Sequence, residues 1–144
     1  MVSKGRLPSV VSWCVPIPQQ PDLRPMKLAH TMIRVKDLEE TLTFYTEFLG
    51  LKEYRRGTIG DECTLIFLGD EEASYYTELT YNHDGRDYDL GTQFGHLAFT
   101  VPDLAAVIAD VEARGWWYRE NKGRYIFVKD PNGYDIEILQ ASVD

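Results

Sequence analysis

Residues His30–Leu38 read HTMIRVKDL, and residues His96–Leu104 read HLAFTVPDL. In each stretch a histidine opens an alternating apolar run, a valine closes it, and Asp-Leu follows at the same distance. Alternation of this kind belongs to a strand with one covered face. The aspartate after it offers a side-chain acceptor to the open end of a helix. A strand leading into a helix, written twice, predicts one structural unit used twice.

Outward from the first copy, KLAHTMIRV reads as a strand from Lys27. Asp37 is the expected N-cap, with Glu39 and Glu40 in the first turn, where the helix dipole favours anions. Leu38, Leu42, Tyr45, Phe48 and Leu49 share one helical face, and Gly50 supplies the stop. The runs LKEYRR, CTLIFLG and SYYTELTYN follow as short strands between Gly- and Asp-containing turns. After a polar linker, HDGRDYDLGTQ, the order returns. HLAFTV is a strand, and a helix starting at Pro102 and Asp103 buries Leu104, Val107, Ile108 and Val111 before Gly115 ends it. WWYRE, YIFVKD and YDIEILQ are the remaining strands, with DPNG as a turn. The predicted fold class is α+β: two tandem βαβββ modules over residues 27–82 and 95–140, joined by a linker over 83–94.

The chain has 144 residues, about one domain, and 44% hydrophobic content, enough for a packed core. A net charge of -8 with no basic cluster argues against nucleic-acid binding. No apolar run has the length of a membrane span. Cys14 and Cys63 share no motif spacing, and two scattered thiols suit a reducing cytoplasm. Residues 1–26 stand apart, holding Pro8, Pro16, Pro18, Pro21 and Pro25 out of seven prolines in the chain. They read as an extended or disordered arm. The apolar run within it is broken by proline and lacks a small-residue cleavage site, which disfavours a signal peptide. Met26 is an alternative biological start.

Each copy carries a histidine on its first strand and a glutamate on its last: His30 with Glu78, and His96 with Glu137. Alternation sets each glutamate on the face opposite its immediate neighbours. A carboxylate under cover needs a partner. Two imidazoles and two carboxylates related by a repeat could share one divalent cation, and such a mixed N/O set suits Ni, Co, Zn or Fe better than a thiolate-preferring metal. His83, in the linker and without a counterpart, reads as an ordinary loop residue. For the pair Trp116-Trp117 core packing is the expectation.

HTMIRV, FYTEFLGL, ELTYN, LGTQFGHLAFTV and DPNGYDIEIL together resemble glyoxalase I (lactoylglutathione lyase) of the vicinal oxygen chelate superfamily, from about Met26 to Leu139. The resemblance implies a vicinal-oxygen-chelate fold and four metal ligands, His30, Glu78, His96 and Glu137. It implies a homodimer with sites at the interface, each taking His30 and Glu78 from one subunit and His96 and Glu137 from the other. The substrate it implies is the methylglyoxal–glutathione hemithioacetal, and the product S-D-lactoylglutathione. A proton must leave the carbon bearing sulfur and hydroxyl, and the enediolate charge that develops must be stabilised. A carboxylate moves the proton; the resemblance makes Glu137 the leading base and Glu78 its partner on the opposite face. Arg34 and Asn82 match positions that hold the γ-glutamyl end of glutathione. Nickel or cobalt is favoured over zinc, since the compact chain resembles the nickel- or cobalt-activated class.

One departure from the family is the segment GWWYRENKGRYIFV, shorter than in many relatives, where a glycine- and lysine-containing loop closes over the thiol. Glutathione remains the favoured thiol, with another small thiol as the alternative. Rival readings are an extradiol dioxygenase, an epimerase, or a metal-free binding or resistance protein on the same scaffold. A fourth ligand, the carboxylate of Glu78, weighs against the first two, and the whole His/Glu set against the third.

Overall fold

The structure, a computed structural model, describes residues 26–142; most of the proline-rich arm, Cys14 and the last two residues lie outside them. The element order is β1 (His30–Val35), α1 (Leu38–Thr43), β2 (Lys52–Ile59), β3 (Cys63–Gly69), β4 (Tyr76–Asn82), β5 (His96–Val101), α2 (Leu104–Ala113), β6 (Tyr118–Asn121), β7 (Tyr125–Lys129) and β8 (Asp135–Gln140). Two four-stranded sheets result, in the orders β1-β4-β3-β2 and β5-β8-β7-β6. In each, the first and last strands of the unit pair in parallel and the rest are antiparallel. The duplicated α+β architecture is thus present, sheet for sheet.

Both helices begin as the repeat predicts. Asp37 accepts from the Glu40 N–H and Asp103 from the Ala106 N–H, satisfying donors that a helix start leaves open. Gly50 and Gly115, at φ +74° and +68°, end the two helical segments in the left-handed region that glycine enters without strain. Helix α1 departs from expectation after one turn and a half: it passes into a π-helical turn over Phe44–Phe48. Thr41, Phe44 and Tyr45, at i, i+3 and i+4, are buried.

One apolar cluster runs through both modules. Ile33, Val35, Ile66, Leu68 and Leu79 of the first sheet join Ile126, Val128, Ile136 and Ile138 of the second, with Phe44, Tyr45, Leu104 and Val111 from the helical segments. Burying each such side chain contributes about 1.5–3 kcal/mol. The modules are also joined by polar contacts from the turn between β7 and β8. Asn132 accepts from the Lys36 N–H at 2.9 Å and donates to the Thr41 hydroxyl at 3.0 Å. The Tyr134 hydroxyl donates to the Arg34 carbonyl at 3.0 Å.

The linker is irregular but tied down. Lys36 pairs with Asp87, Asn82 donates to the Tyr88 hydroxyl, and the rings of Phe94 and Tyr134 meet edge to face at 5.4 Å. The expectation of core packing fails for both tryptophans. Trp116 touches the rings of Phe44 and Phe48 but stays 36% exposed, and Trp117 is 60% exposed; β6 starts at Tyr118 rather than at the tryptophans.

Candidate metal centre

Strand alternation decides which residues leave the core. In β1, Ile33 and Val35 are buried among core residues, so His30, Met32 and Arg34 share the opposite face. In β4, Leu79 is a core residue, and Glu78, Thr80 and Asn82 therefore lie on the His30 side. The same logic in the second sheet sets His96 with Glu137 on the face opposite Ile136 and Ile138. His30 Nε2 lies 2.8 Å from Glu78 Oε2, and His96 Nε2 lies 3.0 Å from Glu137 Oε2.

Both glutamates are largely buried while both histidines keep an exposed edge. The two pairs remain separate: among the described residues no group of three or more His, Cys, Asp or Glu side chains is close enough to hold one ion. A chain therefore presents two half-sets of one imidazole nitrogen and one carboxylate oxygen. Two such donors bonded at right angles to a single ion, each at about 2.1 Å, stand about 3 Å apart. The observed spacings fit that edge, and the donor types suit a borderline divalent cation.

Around each pair the neighbouring groups repeat as well. The His30 ring meets Phe67 edge-on at 5.5 Å, and His96 meets Phe127 edge-on at 5.1 Å. Phe67 is register partner to Glu78, and Phe127 to Glu137. Arg55 covers the Phe67 ring at 3.8 Å, and Arg119 covers Phe127 at 4.9 Å. These four residues were absent from the sequence-derived set, although the signal existed: Ile-Phe and Tyr-Arg recur at matched places, Ile66-Phe67 with Ile126-Phe127 and Tyr54-Arg55 with Tyr118-Arg119.

The copies differ in one respect. Thr80 donates to Glu78 Oε1 at 3.2 Å, so both carboxylate oxygens of Glu78 are engaged. The matching place after Glu137 is Leu139, which has no hydroxyl to give. Glu137 is held at Oε2 alone among the contacts of the described residues.

Arg34 and Asn82 lie on the same face of adjacent strands, yet they line different clefts. Tyr88 links them: it lines the Arg34 cleft with Tyr134 and receives the Asn82 Nδ2 hydrogen at 2.6 Å. With that donor engaged, Asn82 turns its carbonyl oxygen free as an acceptor. His83 is a loop residue, as expected, with Nε2 on the Thr64 hydroxyl and Nδ1 on the Asp61 carbonyl, each at 2.9 Å.

Residues 27–138 match the family model described as Glyoxalase/Bleomycin resistance protein/Dioxygenase superfamily. A probable lactoylglutathione lyase of Vibrio parahaemolyticus is 40% identical over 124 residues, which cover 79% of this chain and 90% of the relative. The chain belongs to the glyoxalase I family. A lactoylglutathione lyase of Neisseria meningitidis is likewise 40% identical, over 80% of this chain and 91% of its own. Among solved structures, a Leishmania major glyoxalase I described as trypanothione-dependent superimposes with a TM-score of 0.73 at 39% identity, covering 81% of this chain and 87% of that one. The chain spans 44% of the Arabidopsis thaliana lactoylglutathione lyase GLX1, at 36% identity. The fold of this glyoxalase I family member accords with that of the solved Leishmania major structure.

Proposed function

We propose that this chain is a lactoylglutathione lyase that isomerises the methylglyoxal–glutathione hemithioacetal to S-D-lactoylglutathione. It works as a cytoplasmic homodimer that removes methylglyoxal. The observation that carries the reading is the pair of half-sets: one histidine and one glutamate, at 2.8 and 3.0 Å, on equivalent strands of two modules. Two copies related by a twofold axis, each first sheet facing the other copy's second sheet, complete two identical sites. The exposed faces support this. Every residue of β2 is exposed, and Met32 and Ile59 on the His30 side are large apolar groups in water. Cys63, a free buried thiol, suits a reducing compartment, and among the described residues no helix is long and apolar enough to cross a membrane.

His30 and Glu78 of one chain with His96 and Glu137 of the second would hold the divalent cation, nickel or cobalt in preference to zinc. When bound, the cation supplies electrostatic stabilisation to the negative charge that develops on the substrate oxygens. The remaining work belongs to side chains. Glu137, held at one oxygen only, takes the proton from the carbon bearing sulfur and hydroxyl and returns it to the neighbouring carbon, while the hydroxyl proton passes to the neighbouring oxygen, which becomes the hydroxyl of the product. Glu78, fixed at both oxygens, keeps its position. Arg34 grips the α-carboxylate of the γ-glutamyl end with two donors. The free carbonyl oxygen of Asn82 accepts from the ammonium beside it.

Apo protein loaded in turn with nickel, cobalt and zinc, and assayed for thioester formation from methylglyoxal with a panel of thiols, tests the whole reading. Glutathione with nickel or cobalt is expected to give the highest rate. Glu137→Gln is expected to lower kcat by at least about a hundredfold, the usual contribution of a positioned base. A variant with most of the wild-type rate refutes the assignment of Glu137.

A further inference from the structure

We propose that Arg55 determines specificity for a second carboxylate on the hemithioacetal, received in a cleft beside His30 and apart from Arg34. The inference rests on the reading of this chain as a glyoxalase I and extends its substrate requirement.

Its starting point is a cation without a partner. Arg56, Arg86 and Arg114 are bonded to Glu53, Asp84 and Asp110. Arg56 takes both oxygens of Glu53, at 2.8 and 2.7 Å, which removes the nearest acid in the strand from its neighbour Arg55. Among the described residues Arg55 enters no ion pair, in a chain whose net charge is -8. Its contact is instead with an aromatic face, the guanidinium carbon lying 3.8 Å from the Phe67 centroid. A guanidinium carbon this close to an aromatic face still leaves N–H donors for planar, bidentate capture of a carboxylate.

A cleft of about 430 Å³ opens beside this group. Its wall is a run of edge-to-face rings: Tyr54 on Tyr76 at 5.6 Å, Tyr76 on Phe67 at 6.5 Å, and Phe67 on His30 at 5.5 Å. The Tyr54 hydroxyl is committed to the Asp70 carbonyl at 2.7 Å, so Tyr54 offers the cleft its ring. An irregularity in the β2–β3 register between Glu53 and Arg55 brings Tyr54 and Arg55, adjacent in sequence, to line the same cleft. The space is many times that of the methyl group of methylglyoxal, and a guanidinium at its side is a poor neighbour for a methyl group alone.

The register supplies the second argument. Arg55 pairs with Phe67, which pairs with Glu78, so this cation sits two strands from the acid that contacts His30. Arg34 stands on β1, the other outer strand of the same sheet, at least about 14 Å away across three strand spacings. Two cations on opposite edges, flanking one His–Glu pair, fit a substrate with a carboxylate at each end. Such a carboxylate is carried by the glycyl end of the thiol or by an acidic α-oxoaldehyde.

Two ratios of kcat/KM, measured on metal-loaded enzyme, separate these sources. The aldehyde ratio compares para-carboxyphenylglyoxal with phenylglyoxal, both with glutathione. The thiol ratio compares glutathione with its glycyl amide, both with methylglyoxal. In Arg55→Leu, which keeps apolar cover on Phe67, one of the two ratios is expected to fall at least about tenfold, the loss of a charge-assisted hydrogen bond. The ratio that falls identifies the source. Each ratio compares two substrates on one preparation, so a change in the amount of folded enzyme cancels. Wild type that turns over methylglyoxal and glutathione, with both ratios in Arg55→Leu within about twofold of wild type, overturns the subsite and leaves the glyoxalase I reading standing. Wild type that forms no thioester from any of these pairs removes that reading, and this inference with it.

Discussion

The Tyr45 hydroxyl donates to Asp130 Oδ2 across 3.1 Å, tying the helical segment of the first module to the β7–β8 turn of the second. Both groups are buried, and Asp130 also accepts from the backbone N–H groups of Asn132 and Tyr134, at 2.9 and 2.8 Å. Removing one partner of a buried charged acceptor costs about 2 kcal/mol. Tyr45→Phe is expected to lower unfolding free energy by that amount, read from denaturant midpoints at constant slope. A change under about 0.5 kcal/mol counts against the tie.

The same carboxyl gives a pH signature. Burial holds Asp130 above the ordinary carboxylate value, against the opposing pull of its hydrogen bonds from Asn132, Tyr134 and Tyr45. Burial, and then the Asp130 charge, push the Tyr45 phenol well above its usual range. Between the ordinary and the raised carboxyl value the folded chain binds more protons than the unfolded one, so stability from this group falls as pH rises. Wild type is therefore expected to gain stability relative to Asp130→Asn as pH is lowered through that window. Denaturant midpoints over a graded pH series decide it, and a gain in the opposite direction contradicts the assignment.

On the proposed function, Thr80 is expected to bear on metal affinity without being a ligand. Thr80→Val keeps the β-branched shape and removes the hydrogen bond to Glu78 Oε1. Groups that orient a ligand in this way commonly account for about tenfold or more in affinity. Competitive titration of apo protein with nickel against a chelator is expected to show that loss; equal affinity means that Glu78 is held by other means.

Tyr88 is expected to act on thiol binding. Tyr88→Phe removes the acceptor that orients the Asn82 amide. The proposal places a rise of about fivefold in KM for glutathione on this change, the worth of one neutral hydrogen bond. The value of kcat should change far less, since the contact is the same before and during proton transfer. A fall confined to kcat contradicts that role.

Removing the metal should be felt in the fold. An ion that binds only the folded state stabilises it by mass action. Chelated protein is expected to melt at a lower temperature than nickel-loaded protein, with restoration on adding nickel back. Identical melting curves with and without chelator argue against a metal at the His–Glu pairs.

The repeat was legible because its signal is local. A histidine, an alternating strand and an Asp-Leu helix start are each visible within nine residues, and the structure keeps them at His30–Leu38 and His96–Leu104. The pairing of His30 with Glu78 and of His96 with Glu137 followed from alternation along two strands of each unit. What escaped includes departures from regular period. Nothing local announces the π-helical turn at Phe44–Phe48, or the register irregularity after Glu53 that precedes the pairing of Arg55 with Phe67. The linker read as merely polar because its ties are made to distant residues, Lys36–Asp87 and Phe94–Tyr134. Short-range patterning carries no trace of such contacts.

The separation of the two half-sets within one chain has a genetic corollary on the proposed dimer. A lesion at His30 and a lesion at Glu137 each silence every site in a pure population. Co-expressed, the two defective chains would form mixed pairs in which both lesions fall into the same site, leaving the second site built wholly from sound modules. Two inactive alleles would then complement one another, whereas two lesions within the same module would not.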